Sequence, residues 1–231
     1  MHLFPYLRFI EKKLKNQTDC MFHYNNKYIS SKYQTYQTME MLQKTTLFDA
    51  QLYETLNPAQ HKNDLKNMSQ NWELRYALLK KFGVWNYPTE HVIVQLKAFI
   101  GDNECLEIGA GSGLWSMMLK DLGVNIVATD SCDEIKTKTP VFTDIYKMDA
   151  DCAVEHFTNA NVLLSVWPRG FLKSALEKFK GEYFIFVGEI DGCTGYIHTN
   201  DEDCCFEELM VIDGYVPFIG IRDSVIVYAR K

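Results

Sequence analysis

Long apolar runs are missing from this 231-residue chain. No window approaches the roughly 18 consecutive apolar residues of a membrane span, so no membrane role is expected. No Cys-x-x-Cys pair occurs among the seven cysteines, at 20, 105, 132, 152, 193, 204 and 205. The neighbours Cys204 and Cys205, even with His198, lack the ligand spacing of the usual zinc sites, and no metal is expected. An odd number of cysteines, several within apolar segments, points to reduced thiols and so to an intracellular, cytoplasmic or nuclear compartment. Positive charge is also short, since 24 Lys and Arg against 30 Asp and Glu leave a net −6. That disfavours a large nucleic-acid surface without excluding one, because such binding depends on neutralising phosphates. The lysines at 12, 13, 15, 62, 66, 80 and 81 read as a scattered, solvated face. Residues 1–9 are too short and mixed for a signal peptide, and no repeat or low-complexity tract is present. What remains is a chain that is 47% hydrophobic, enough for a sizeable core in one domain with an added subdomain.

The most informative segment is 105–113, Cys-Leu-Glu-Ile-Gly-Ala-Gly-Ser-Gly. An apolar strand carries an acid, Glu107, then glycines fall at 109, 111 and 113, and 114–122 has a helical pattern. A turn of this composition brings bare main chain against a ligand, because glycine has no Cβ to block the approach. The helix behind it offers unpaired N–H groups and a partial positive charge. The dinucleotide fingerprint G-x-G-x-x-G would need its third glycine at 114, which is Leu114, so a nucleotide-dependent oxidoreductase is disfavoured. A carboxylate at Glu107 would repel a pyrophosphate, but not a ligand with ammonium and sulfonium centres.

A second short strand over 125–129 closes on Asp130, near the ~20-residue offset at which nucleotide folds place an acid for a ribose hydroxyl pair. A third, 145–148, ends in Asp149-Ala150 ahead of a helix-like run to 157, so Asp149 also suits a helix N-cap. A fourth, 161–166, runs into Trp167-Pro168-Arg169. An amphipathic helix is expected over 171–180 and an apolar fifth strand over 183–187, ending in Gly188-Glu189. Beyond them come a turn-rich loop at 191–195, a short helix around 203–210, and a closing strand pair of 215–218 with 224–229. This order predicts an α/β fold, a Rossmann-like doubly wound, mostly parallel sheet with an antiparallel last strand.

The acid-x-Gly-x-Gly-x-Gly pattern at Glu107, Gly109, Ala110, Gly111 and Gly113 resembles the first motif of class I S-adenosylmethionine-dependent methyltransferases. The stretch from 72 to 231 is similar to a methyltransferase-like subgroup of that superfamily. The similarity lies in the lead-in at 83–90, the block at 106–115, Trp167-Pro168, Val187-Gly188-Glu189 and Thr194-Gly195. The resemblance implies S-adenosyl-L-methionine as cofactor and leaves the methyl acceptor open between small molecule, protein and nucleic acid. It further implies that Asp149 accepts from the adenine amino group while the N–H of Ala150 donates to the ring. By the same resemblance Ser165, Trp167 and Pro168, after the fourth strand, face the transferred methyl. The amino-methylating enzymes carry an acid, Asn or Ser before Pro-Pro and an aromatic there, and this chain has those ingredients in another order. Trp167 either stacks on a planar acceptor or packs under the sheet edge. Glu189 is the candidate general base, ahead of Asp191 and His198. The irregular segment 165–168 leaves a second reading, a non-catalytic methyltransferase-like binding or interaction subunit.

The N-terminal part is less patterned. Residues 1–70 read as a helical or flexible extension before a methyltransferase-like domain at 71–231. Helices are expected over 3–15, 47–56 and 72–82, with a polar, tyrosine-rich stretch at 18–37 and flexibility over 18–40. One more helix begins at Pro88-Thr89-Glu90 and runs to Gly101. The segment 85–88, Trp-Asn-Tyr-Pro, is either a cover over the methionine end of the cofactor or a packed connector.

Overall fold

The structure is a computed structural model that describes residues 21–24, 27–30, 85–86, 88, 90–133, 141–190, 192–194, 204–215, 217 and 221–231. The expected helices at 3–15, 47–56 and 72–82 lie outside the described residues.

Among the described residues nine strands make one sheet. They are β1 (Met21–Tyr24), β2 (Lys27–Ser30), β3 (Cys105–Ile108), β4 (Ile126–Asp130) and β5 (Ile145–Lys147), then β6 (Val162–Val166), β7 (Tyr183–Gly188), β8 (Phe206–Val211) and β9 (Ser224–Arg230). Their spatial order is β2-β1-β5-β4-β3-β6-β7-β9-β8. From β5 through β7 the neighbours are parallel, and β9 runs antiparallel to both β7 and β8. The described helices are α1 (Glu90–Ile100), α2 (Leu114–Asp121), α3 (Ala150–His156) and α4 (Leu172–Lys178).

Helices cover both faces, so the central strands are buried twice over and read as apolar runs rather than alternating ones. Successive side chains still divide between the faces. Val162, Leu164, Ile185, Val187, Val225 and Val227 join α1 and α2 in one core. Leu163, Phe184, Phe186, Ile226 and Tyr228 join α3 and α4 in the other. Glu107, between Leu106 and Ile108 of the second core, therefore turns toward α2.

Two segments differ from the sequence reading. Residues 206–211, of which 206–210 fall in the expected short helix, form the edge strand β8, and β8 rather than 215–218 closes the pair with β9. Glu207, Glu208, Leu209 and Met210 are good helix formers, and ladder bonds to β9 override that weak local preference. Tyr215 and Pro217 lie in irregular backbone, while Val216 and Phe218 fall outside the described residues. Within the stretch read as polar and flexible, β1 and β2 form a short hairpin that joins the sheet through His23 opposite Tyr146. Strands of four residues are too short to display an alternating pattern.

The turn into β7 is tightly packed. A Cβ on Gly181 would stand 2.6 Å from the carbonyl oxygen of Ala160 and 2.8 Å from that of Asn161. Both obstacles are main chain, so Gly181→Ala is expected to cost about 1–3 kcal/mol. A urea melt checks this, and an unchanged midpoint would refute it.

Candidate functional site

β3 has β4 on one side and β6 on the other, so the strand order reverses there. In sheets of this kind a ligand lies in the crevice outside the carboxyl ends of the strands at that point. The turn after β3 keeps Gly109, Gly111 and Gly113 at φ 66°, 55° and 74°, a left-handed region costly for side-chain-bearing residues. The main-chain N–H of Gly111 donates to Asp130 Oδ2 at 2.9 Å, and that of Ala110 to the Thr129 carbonyl at 2.9 Å. Asp130 Oδ1 accepts from the Cys132 N–H at 2.7 Å. The glycine turn and Asp130, 19 positions apart, thus form one unit at the tips of β3 and β4.

At two of the glycines the protein itself fills the space that a Cβ would need. A Cβ on Gly109 would lie 2.7 Å from the ring of Phe171, and one on Gly113 would lie 2.7 Å from Thr143 Cγ2. Asp149 is the N-cap of α3, its Oδ1 accepting from the Cys152 N–H at 2.8 Å, and Ala150 is the first residue of that helix.

On the β6 side the geometry is built from distant segments. Trp167 has φ 52°, and its indole N–H donates to Asp223 Oδ1 at 2.9 Å. Its ring stacks on Trp85 with centroids 5.3 Å apart and planes 4° from parallel. The guanidinium of Arg169 lies 5.6 Å from the Trp85 ring centre. Pro168 is buried between them in sequence. Beside this block Asn86 is buried, and its Oδ1 accepts from Trp115 Nε1 at 3.0 Å. Sequence reasoning named Trp85 and Asn86 only as a segment and did not mark Arg169 or Asp223. Trp115 and Asn86 are 29 positions apart and Trp167 and Asp223 are 56, so no local pattern pairs them.

Two further candidates are held in structural bonds. Ser165 is fully buried and its hydroxyl donates to the Ile108 carbonyl at 3.2 Å, across the β3–β6 pair. Glu189 straps two loops: Oε2 accepts from the Cys193 N–H and Oε1 from the Arg222 N–H, each at 3.0 Å. Asp191 and His198 lie outside the described residues.

Glu107 sits beneath the turn, buried, with Ser116 Oγ donating to its Oε2. Burial pushes its carboxyl up to about 7; bonds from Ser116 and the charge of Lys120 pull it down, and Asp130 adds to the rise. A folded-state value above the unfolded 4.5 means that the fold prefers the neutral acid. This contribution is whole below the unfolded value and is lost as pH rises through about 7. Over that window stability should fall by roughly 3 kcal/mol at most. Glu107→Gln should flatten the fall, as chemical denaturation across pH 4.5 to 7.5 would reveal; parallel pH curves for the two proteins would contradict it.

No family model and no curated protein sequence matches the chain. Among solved structures it is similar to magnesium protoporphyrin IX methyltransferase from Synechocystis with bound SAM. That match has 9% identity over 80% of this chain and 93% of that one, with a TM-score of 0.49. It is also similar to a TehB-like SAM-dependent methyltransferase from Corynebacterium glutamicum (17% identity, 71% and 98% covered, TM-score 0.45). A third is 1,6-didemethyltoxoflavin-N1-methyltransferase from Burkholderia thailandensis, solved with its substrate and S-adenosylhomocysteine (13% identity, 74% and 93% covered, TM-score 0.44). The strand order itself, with β3 central, β4 and β5 to one side and β6, β7, β9 and β8 to the other, makes this a Rossmann-like, mostly parallel sheet with an antiparallel β9.

Proposed function

We propose that the chain is an S-adenosylmethionine-dependent methyltransferase whose cofactor lies across the tip of β3. The observation that carries this reading is the Gly111–Asp130 unit. It combines half-buried glycine main chain at a left-handed turn with a carboxylate fixed at the end of the adjacent strand. Each carboxylate oxygen of Asp130 accepts one main-chain N–H, and a carboxylate at this strand end is the acceptor type that a ribose hydroxyl pair calls for. Asp149 caps α3 through Oδ1, and we assign its carboxylate to an adenine amino group, with the Ala150 N–H for the ring. Glu107, Gly109, Ala110 and Gly113 hold the turn's shape around that ligand.

When bound, the cofactor supplies an electrophilic methyl on a sulfonium, a group that needs no activation by the protein. The chain's own task is then to align an acceptor and keep water away, effects worth up to about 7–11 kcal/mol in favourable cases. Trp167 and Pro168, at the end of β6, form the wall on which a planar acceptor would rest. Ser165 supports that wall from below through its strand bond. Glu189, with both oxygens engaged by main-chain N–H groups, fits a strap for the 188–194 loop better than a general base. An acceptor that is already nucleophilic, or that loses its proton to solvent, suits such a site. We assign this role to residues 71–231 with residues 1–70 as an extension, in a reducing compartment suited to the six free thiols described.

Gly111→Val places a β-branched side chain at φ 55°, and should abolish binding of S-adenosylhomocysteine while the protein stays folded. Calorimetry with a thermal melt as control checks it. Unchanged affinity in the folded variant, or tight binding of a nicotinamide dinucleotide by the parent, would overturn the reading.

A further inference from the structure

The side-chain amide of Asn86 is only half used. Asn86 is 1% exposed, and its Oδ1 accepts from the indole N–H of Trp115. An indole nitrogen can only donate, so this bond fixes which end of the amide faces Trp115. The other end, Nδ2 with two N–H groups, is buried with no hydrogen-bond partner among the described residues. A buried donor left unmade is costly and uncommon in native folds, and points to a group that completes it.

Position says which group. Trp115 is the second residue of α2, directly behind Gly113. Trp85, next to Asn86, stacks on Trp167 just beyond β6, with Arg169 over its ring. Asn86 therefore stands on the β6 side of β3, whereas Asp130 ends β4 on the opposite side. A ligand lying across the tip of β3 with its hydroxyl pair on Asp130 extends its far end toward Asn86. Two N–H donors and no lone pair exclude an ammonium at Nδ2 and call for an oxygen. The positive end of α2, whose second residue Trp115 bonds to Asn86, favours that oxygen being anionic.

We propose that Asn86 Nδ2 donates to the carboxylate of the aminoacyl end of S-adenosylmethionine, which makes Asn86 a positioning residue for the reactive end of the cofactor. The inference rests on the cofactor assignment made above.

Asn86→Asp is the sharpest probe. It keeps an oxygen for Trp115 and replaces the two donors with a second acceptor. Asn86→Ser is a smaller companion that also keeps an acceptor, should the first variant fold poorly. Calorimetry on the full chain compares S-adenosylhomocysteine with 5′-methylthioadenosine, which has the nucleoside but no aminoacyl group. The expected result is a loss of about tenfold or more for S-adenosylhomocysteine, with methylthioadenosine unchanged. Equal loss of both ligands would overturn the assignment, because Asn86 would then only support the fold of the pocket. Unchanged affinity for both would also overturn it. If the parent chain bound neither ligand, the cofactor reading itself would fall, and Asn86 with it.

Discussion

The bond from the Gly111 N–H to the Asp130 carboxylate is the constraint on which the rest of the site depends. It joins the tip of β3 to the end of β4, beside the point where the strand order reverses between β3 and β6. Three further ties run alongside it: Ala110 N–H to the Thr129 carbonyl, Thr129 Oγ1 to the Glu107 carbonyl, and Cys132 N–H to Asp130 Oδ1. Together they fix the path of the turn before any ligand arrives. A main chain held in this way meets a ligand without further loss of conformational entropy, which is how a preformed site gains affinity.

The glycines of that turn answer to two demands. Left-handed φ values at 109, 111 and 113 explain the residue type on conformational grounds. At 109 and 113 there is a second cause, because Phe171 and Thr143 already occupy the space beside the Cα. Those two glycines let α4 and the segment before β5 close against the turn. Gly111 instead gives its N–H to Asp130. The glycine spacing thus encodes packing as well as backbone conformation.

Much of this was legible in the sequence, for a physical reason. Strands buried on both faces must be apolar throughout, so β3, β4, β6, β7 and β9 stand out as short runs ending in acids or turn residues. The acid-x-Gly-x-Gly-x-Gly block is local, and so are the end of β4 at Asp130 and the cap at Asp149. β8 was misread because an edge strand with only Phe206 buried has little burial to record, and its Glu and Leu residues favour helix. The β1–β2 hairpin was missed because four residues hold no period. The engagement of Ser165 and Glu189 was hidden because their partners are main-chain atoms of other elements.

The same contrast separates the two ends of the proposed site. The nucleoside end is assembled from strand tips and the turns next to them, within one stretch of chain from 107 to 150. The opposite end needs Trp85 and Asn86 from before α1, Trp115 from α2, Trp167 from beyond β6 and Asp223 from before β9. Trp167 also adopts a left-handed φ, a conformation that costs on the order of 1–3 kcal/mol for a bulky residue. The stack on Trp85 and the bond to Asp223 offset that cost only when all three segments have come together. An arrangement that is unfavourable locally and satisfied only by the complete fold is not written in any single window of sequence.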